Sequence, residues 1–158
     1  MVMIKNGRER KKRDLDGILL LDKPVGISSN RALQRAKTFF SARKAGHTGN
    51  LDVEASGLLP VCFGETTKLS QFLLDSDKHY QCEFTFGRST TTGDSAGEIL
   101  LERPVDSLDG DYLKFLCGQF EGKQNQVPPM YSALKHKGQP LYKLARKGIE
   151  LERQPRSI

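Results

Sequence analysis

Several chemistries have no foothold in this 158-residue sequence. It holds no C-x-x-C or H-E-x-x-H pair, so a zinc site lacks its ligands. It holds no G-x-x-x-x-G-K-[ST] and no G-x-G-x-x-G, which removes the usual cradles for nucleoside triphosphates and dinucleotides. No G-x-S-x-G elbow supports a serine hydrolase. The acids of Asp75-Ser76-Asp77 are too few to hold a metal without further ligands. Apolar runs such as Ile18-Leu19-Leu20-Leu21 are far too short to span a bilayer. Basic residues open the chain with no apolar stretch behind them, so no secretory signal is expected. Cysteine is scarce. Cys62, Cys82 and Cys117 are odd in number and widely spaced, which suits small core residues in a reducing cytoplasm better than a disulfide framework. No metal, cofactor or membrane is expected, and the chemistry falls to ordinary side chains.

What is present describes one soluble globular domain. Hydrophobic residues make up 37% and charged residues 28%, a balance that argues against wholesale disorder. The length allows one sizeable core. The net charge of +6 is unevenly spread. Residues 1–13 hold six Lys/Arg against Glu9, and residues 135–156 hold seven against Glu150 and Glu152. Residues 75–111 between them hold nine acids against Lys78, Arg88 and Arg103. Two basic segments around an acidic middle can build a positive face for a polyanion, or form an ordinary solvated surface.

Helices and strands intermix along the chain without regular βαβ alternation, so the class is α+β. Residues 1–14 read as a flexible basic arm. "DGILLLDKPVGISSN" gives a short buried strand over 17–21 and then a Pro/Gly turn. Ser28 or Ser29 caps a helix with Ala32, Leu33, Ala36, Phe39 and Phe40 on its inner face. A strand is expected over Leu58–Phe63, then a helix starting at Thr66 or Thr67 with Leu69, Phe72 and Leu73 inward. "HYQCEFTF", residues 79–86, alternates strictly and predicts a half-buried strand with Tyr80, Cys82, Phe84 and Phe86 on its inner side. "EILLERP" predicts the next antiparallel strand. Ser107 is expected to cap a helix burying Leu108, Tyr112, Phe115 and Leu116. "LYKLARKG" predicts a short helix stopped by Gly148.

One stretch stands out: "GHTGNLDVEASGLLP", residues 46–60, sets Asp52 in a glycine-rich loop ahead of an apolar strand. An aspartate serves as nucleophile or general base where water is excluded and a cation keeps it ionised. Glycines at 49 and 57 let backbone approach a bulky substrate, and His47 reaches the same opening. On spacing alone, an Asx-turn accounts for Asp52 more readily than catalysis does. Tyr80, on the apolar face of its expected strand, stands where a tyrosine is usually a core residue.

Four stretches, in order, resemble the bacterial tRNA pseudouridine synthase B (TruB) family. "GHTGNLDVEASGLLP" is similar to its catalytic motif, and "DGILLLDKPVGISSN" to its N-terminal Lys-Pro motif. "TKLSQFLLDSDKHYQCEFTFGRSTTTGDSAG" resembles the segment with its tyrosine and T-D-x-x-G-type loop. "QVPPMYSALKHKGQPLYKLARKGIE" resembles its P-P-x-Y-S-A-x-K block. The resemblance runs from about Asp16 onward. It implies a pseudouridine synthase fold, a mixed and largely antiparallel sheet flanked by helices and loops. It implies an isomerase that turns out uridine 55 of the tRNA TΨC loop, breaks its glycosidic bond and rejoins the base through C5. Asp52 then matches the catalytic carboxylate, and Tyr80 the residue that stacks on the base and assists proton removal. The expected RNA-contacting residues are His47, Lys23, Arg43 and Lys44. Lys23 and Pro24 also match a pair that supports the floor of the site. The implied partner is tRNA, without metal or membrane, and the full-length protein is expected to be a monomer.

The sequence departs from that pattern in two ways. Val53-Glu54 stand where the family has a proline and an apolar residue, which sets a second carboxylate beside Asp52, and Asn50 replaces a small residue or threonine. The family is also about twice as long. Residues 15–158 are therefore expected to be the N-terminal part of a catalytic domain truncated at its C-terminus, without the arginine that pairs with the catalytic aspartate and without a C-terminal RNA-binding domain. The alternative function is a non-catalytic tRNA-binding or RNA-folding module.

Overall fold

The structure, a computed structural model, describes residues 11–158 and divides between Cys82 and Glu83 into two compact units. The arm expected over residues 1–14 lies outside the described residues as far as residue 10. Its last two residues are attached. The Arg13 N–H donates to Ser41 O at 2.7 Å, and Arg43 Nε pairs with Asp14 at 3.3 Å.

The first unit contains β1 (Gly17–Lys23), α1 (Ser29–Phe39), β2 (Ala45–His47), β3 (Gly57–Phe63) and α2 (Ser70–Leu74). The strands form an antiparallel sheet in the order β1-β3-β2, with Leu19 opposite Val61 and His47 opposite Val61 on the other side. Alternation along β1 and β3 sends Leu19, Leu21, Val61 and Phe63 to one face, where they meet Leu33, Ala36 and Phe40. Phe40 packs edge-on against Phe63 at 5.4 Å between ring centroids. The opposite face carries Ile18, Leu20 and Leu58, all exposed. Pro60 sits in the central strand without breaking the ladder. Its backbone faces the β2 side, where β2 has ended and the Thr48 N–H donates to Pro60 O at 3.1 Å.

Helix α1 follows the sequence closely at its start. Ser28 is the N-cap, its hydroxyl accepting from the Arg31 N–H at 3.2 Å. Removal of that oxygen in Ser28→Ala is expected to cost about 1 kcal/mol in a urea denaturation, with the slope unchanged. Ala32, Leu33 and Ala36 are buried as expected, but Phe39 is 76% exposed. Adjacent helical residues point about 100° apart, so only one of Phe39 and Phe40 can face the sheet, and Phe40 takes that place.

Corrections accumulate after β3. The helix expected from Thr66 or Thr67 is a 3₁₀ turn over Gly64–Leu69 followed by α2, and Leu69 and Phe72 are exposed. No strand forms over 79–86, and the unit boundary falls inside that stretch. Tyr80, Phe84 and Phe86 are exposed there. Alternation specifies which side each residue takes, but a strand also needs a neighbouring edge for its N–H and C=O groups, and no described residue supplies one. Of the three cysteines only Cys62 is buried, and Cys82 and Cys117 are exposed free thiols.

The second unit contains β4 (Arg88–Thr90), β5 (Ile99–Glu102), α3 (Gly110–Gly118), β6 (Asn125–Gln126), β7 (Lys135–His136), β8 (Gln139–Pro140), α4 (Leu141–Ala145) and β9 (Arg156–Ser157). The strands pair antiparallel as β4-β5, β6-β9 and β7-β8. The expected strand at "EILLERP" is β5. Lys137 and Gly138, with φ of 48° and 83°, make the tight turn of the β7-β8 hairpin. Gly148 closes α4 as expected, its N–H donating to Ala145 O at 2.9 Å and its φ at 71°. Helix α3 is capped by Asp109 rather than Ser107, and Leu108, Tyr112 and Phe115 lie exposed instead of buried. The observed class is α+β. Among the described residues no helix is long and apolar enough to cross a membrane.

Candidate active site

The loop that carries Asp52 is held from three sides. Ser29, fully buried at the start of α1, uses one hydroxyl twice: Oγ donates to Leu51 O at 2.9 Å and accepts from the Leu51 N–H at 2.8 Å. The Gly26 N–H, in the turn after β1, donates to Val53 O at 2.7 Å. Asp52 itself opens a tight turn, its C=O accepting from the Ala55 N–H at 3.2 Å. The loop then re-enters the sheet at Gly57, whose φ of 122° few side chains tolerate.

Across the ladder from Gly57, at the end of β1, lies Lys23. It is 0% exposed, and its Nζ donates to Pro24 O at 3.0 Å and to Ile27 O at 2.8 Å. The expectation that Lys23 touches RNA is corrected on this geometry. Its amine is spent inside the protein, on the carbonyls of the turn that grips Val53. The supporting role given to the Lys-Pro pair describes it better. The sequence signal for the Ser29 clamp was the hydroxyl pair Ser28-Ser29, since a helix needs only one N-cap.

Asp52 and Glu54 are exposed, and no side-chain hydrogen bond or ion pair engages the Asp52 carboxylate among the described residues. An Asx-turn would have bound that carboxylate to a nearby N–H, and here the backbone alone makes the turn. Tyr80 is 70% exposed at the end of the same unit, and no hydrogen bond joins it to Asp52. A cavity of about 500 Å³ lies elsewhere and is lined by neither residue. It lies within the second unit, among Thr91, Met130, Tyr131 and Arg153, whose Nε is buried without a partner among the described residues.

His47 is half-buried on β2, paired across the ladder with Val61. Its Nδ1 is buried and has no partner among the described residues, so an outward contact falls to Nε2. Arg43 and Lys44 are exposed just before β2. Arg43 is shared with Asp14. The Lys68 ammonium, hydrogen-bonded to Glu65, and then the charge of Lys44, hold the Glu65 carboxyl below its usual range.

The TruB family pseudouridylate synthase (N terminal domain) profile matches residues 37–158. A protein named tRNA pseudouridine synthase B from Nitrosococcus oceani is 61% identical over 98% of this chain and 50% of its own length. Proteins of the same name from Pseudomonas syringae and Coxiella burnetii are 55% and 58% identical over 95% and 93% of the chain. The chain spans about half the length of these curated relatives. A solved structure described as a Cbf5-Nop10-Gar1 complex contains a chain that shares this fold, with a TM-score of 0.53 and 24% identity over 89% of this chain and 32% of that one. With 122 of its residues under the family profile, this chain belongs to the TruB family of pseudouridylate synthases, in their N-terminal domain.

Proposed function

We propose that the chain serves the conversion of uridine to pseudouridine in RNA, at uridine 55 of the tRNA TΨC loop, with Asp52 as the catalytic carboxylate. The observation that carries the reading is the unspent side chain of Asp52, on a loop whose neighbours Leu51 and Val53 are both pinned. A fixed backbone with a free carboxylate suits a group that must meet an everted nucleotide in one geometry. The reaction is an isomerisation. The C1′–N1 bond breaks, the uracil turns in place, the C1′–C5 bond forms, the proton on C5 leaves, and N1 gains one. Atoms and electrons balance without a metal or redox partner.

In this reading Tyr80 offers its exposed ring for stacking on the turned-out base and assists the proton at C5. His47 meets the RNA beside the flipped nucleotide through Nε2. Arg43 and Lys44 meet phosphates, which position the RNA without reading its sequence. Residues 15–158 act as the N-terminal part of a catalytic domain behind a basic arm, in a protein that is monomeric at full length. The exposed thiols of Cys82 and Cys117 suit the reducing cytoplasm.

The test is to incubate unmodified tRNA with the chain, and with a chimera joining it to the second half of the Nitrosococcus oceani relative, and to map pseudouridine. Product at uridine 55 with the chimera is expected. A chimera that leaves that uridine untouched overturns the reading. Salt-dependent binding without product would instead favour the non-catalytic RNA-binding module.

A further inference from the structure

Helix α1 presents a ridge that its own packing does not use. Arg31, Arg35 and Phe39 fall at i, i+4 and i+8, so their side chains line one side of the helix, about 6 Å apart along the axis. All three are exposed, on a helix face that Gln34 and Thr38 share. The helix contains no acid, and neither arginine forms an ion pair among the described residues. Like charges four residues apart repel, and a phenyl ring in water buries nothing. The ring is also braced, standing edge-on to the core residue Phe40 at 5.1 Å and 80°. A braced aromatic beside two unpaired guanidinium groups is the combination that takes unpaired nucleic acid, with bases on the ring and phosphates on the charges.

We infer that the Arg31–Arg35–Phe39 ridge is a second RNA-contact surface, taking an unpaired segment of the substrate RNA next to the Asp52 loop. Continuity argues for the same RNA, because Ser29, two residues before Arg31, is the residue that clamps Leu51. The inference rests on the RNA-modifying reading above and extends it to a surface with no part in the chemistry.

The experiment measures binding of fluorescein-labelled unmodified tRNA by anisotropy across a salt series. The wild type is compared with R31Q/R35Q, with F39A and with K114Q, an exposed cation on α3 as control. R31Q/R35Q is expected to weaken binding and to flatten the dependence of log K on log salt by about 1.4, from about 0.7 per phosphate contact on a single strand. F39A is expected to weaken binding about tenfold with the salt slope unchanged, as loss of one stacked base would. K114Q is expected to match the wild type. Thermal melts of R31Q/R35Q and K114Q should superimpose on the wild type, because those side chains are exposed, and F39A should lose no more than the edge-on contact with Phe40, about 1 kcal/mol. If the wild type binds and R31Q/R35Q keeps its slope, or F39A keeps its affinity, the inference is overturned while the reading of function stands. If neither the wild-type chain nor the chimera binds tRNA, the RNA reading itself fails and takes the inference with it. Equal displacement of tRNA by poly-glutamate would mark a general anion surface, and also overturns it.

Discussion

Asp52→Asn is expected to cut pseudouridine formation by at least about a hundredfold, the scale on which positioned acid–base groups contribute. Stability should stay within about 0.5 kcal/mol of the wild type, as for exposed substitutions without a structural role. The two expectations separate because the carboxylate makes no hydrogen bond among the described residues while the backbone of residue 52 makes the turn. Asparagine keeps the size and the turn and removes only the anion. RNA affinity should hold as well, since no cation is lost. The readout is single-turnover conversion of uridine 55 by the chimera, alongside a urea denaturation of each variant. Conversion at the wild-type rate would remove Asp52 from the chemistry.

Lys23→Met has the opposite profile. Methionine replaces the aliphatic stem at similar volume, so the packing below the loop survives. The donor does not, and two carbonyls, Pro24 O and Ile27 O, lose the bonds that Lys23 Nζ gives them. Pro24 is exposed and Ile27 half-buried, so water takes up part of the lost bonding, and a loss of about 1–3 kcal/mol is expected, read as a lower urea midpoint with an unchanged slope. Activity should fall too, because the same turn holds Val53 through the Gly26 N–H. An unmoved midpoint would show that Lys23 does not organise the turn.

These two residues also mark what could be read without coordinates. Strand β1, the start of α1, β3 and the glycine-rich loop were legible because local signals agreed there: an apolar run, a Pro/Gly turn, a hydroxyl cap and a second apolar run. Asp52 was legible as a candidate by resemblance, and its turn was expected from its neighbours. The direction in which Lys23 points was not legible, because a lysine after a strand looks the same whether it faces solvent or its own carbonyls. Residues 79–86 show the other limit. Their alternation is a property of the segment, whereas the ladder it calls for is a property of some other edge. Phe39 and Phe40 show a third limit, since a helical period fixes a face only to within one residue at its rim. Which ring turned inward was settled by the small side chains of Ala42 and Ala45 and by Phe63, all distant from the helical pattern itself.

Helix α1 covers one side of the three-stranded sheet, while Ile18, Leu20 and Leu58 stand bare on the other. A bare aliphatic patch adheres to any similar patch it meets, and crowding raises the rate of such meetings. Colloidal behaviour, more than folding energy, then sets the highest protein concentration at which the assays above stay clean. Dilute samples follow directly from two leucines and an isoleucine.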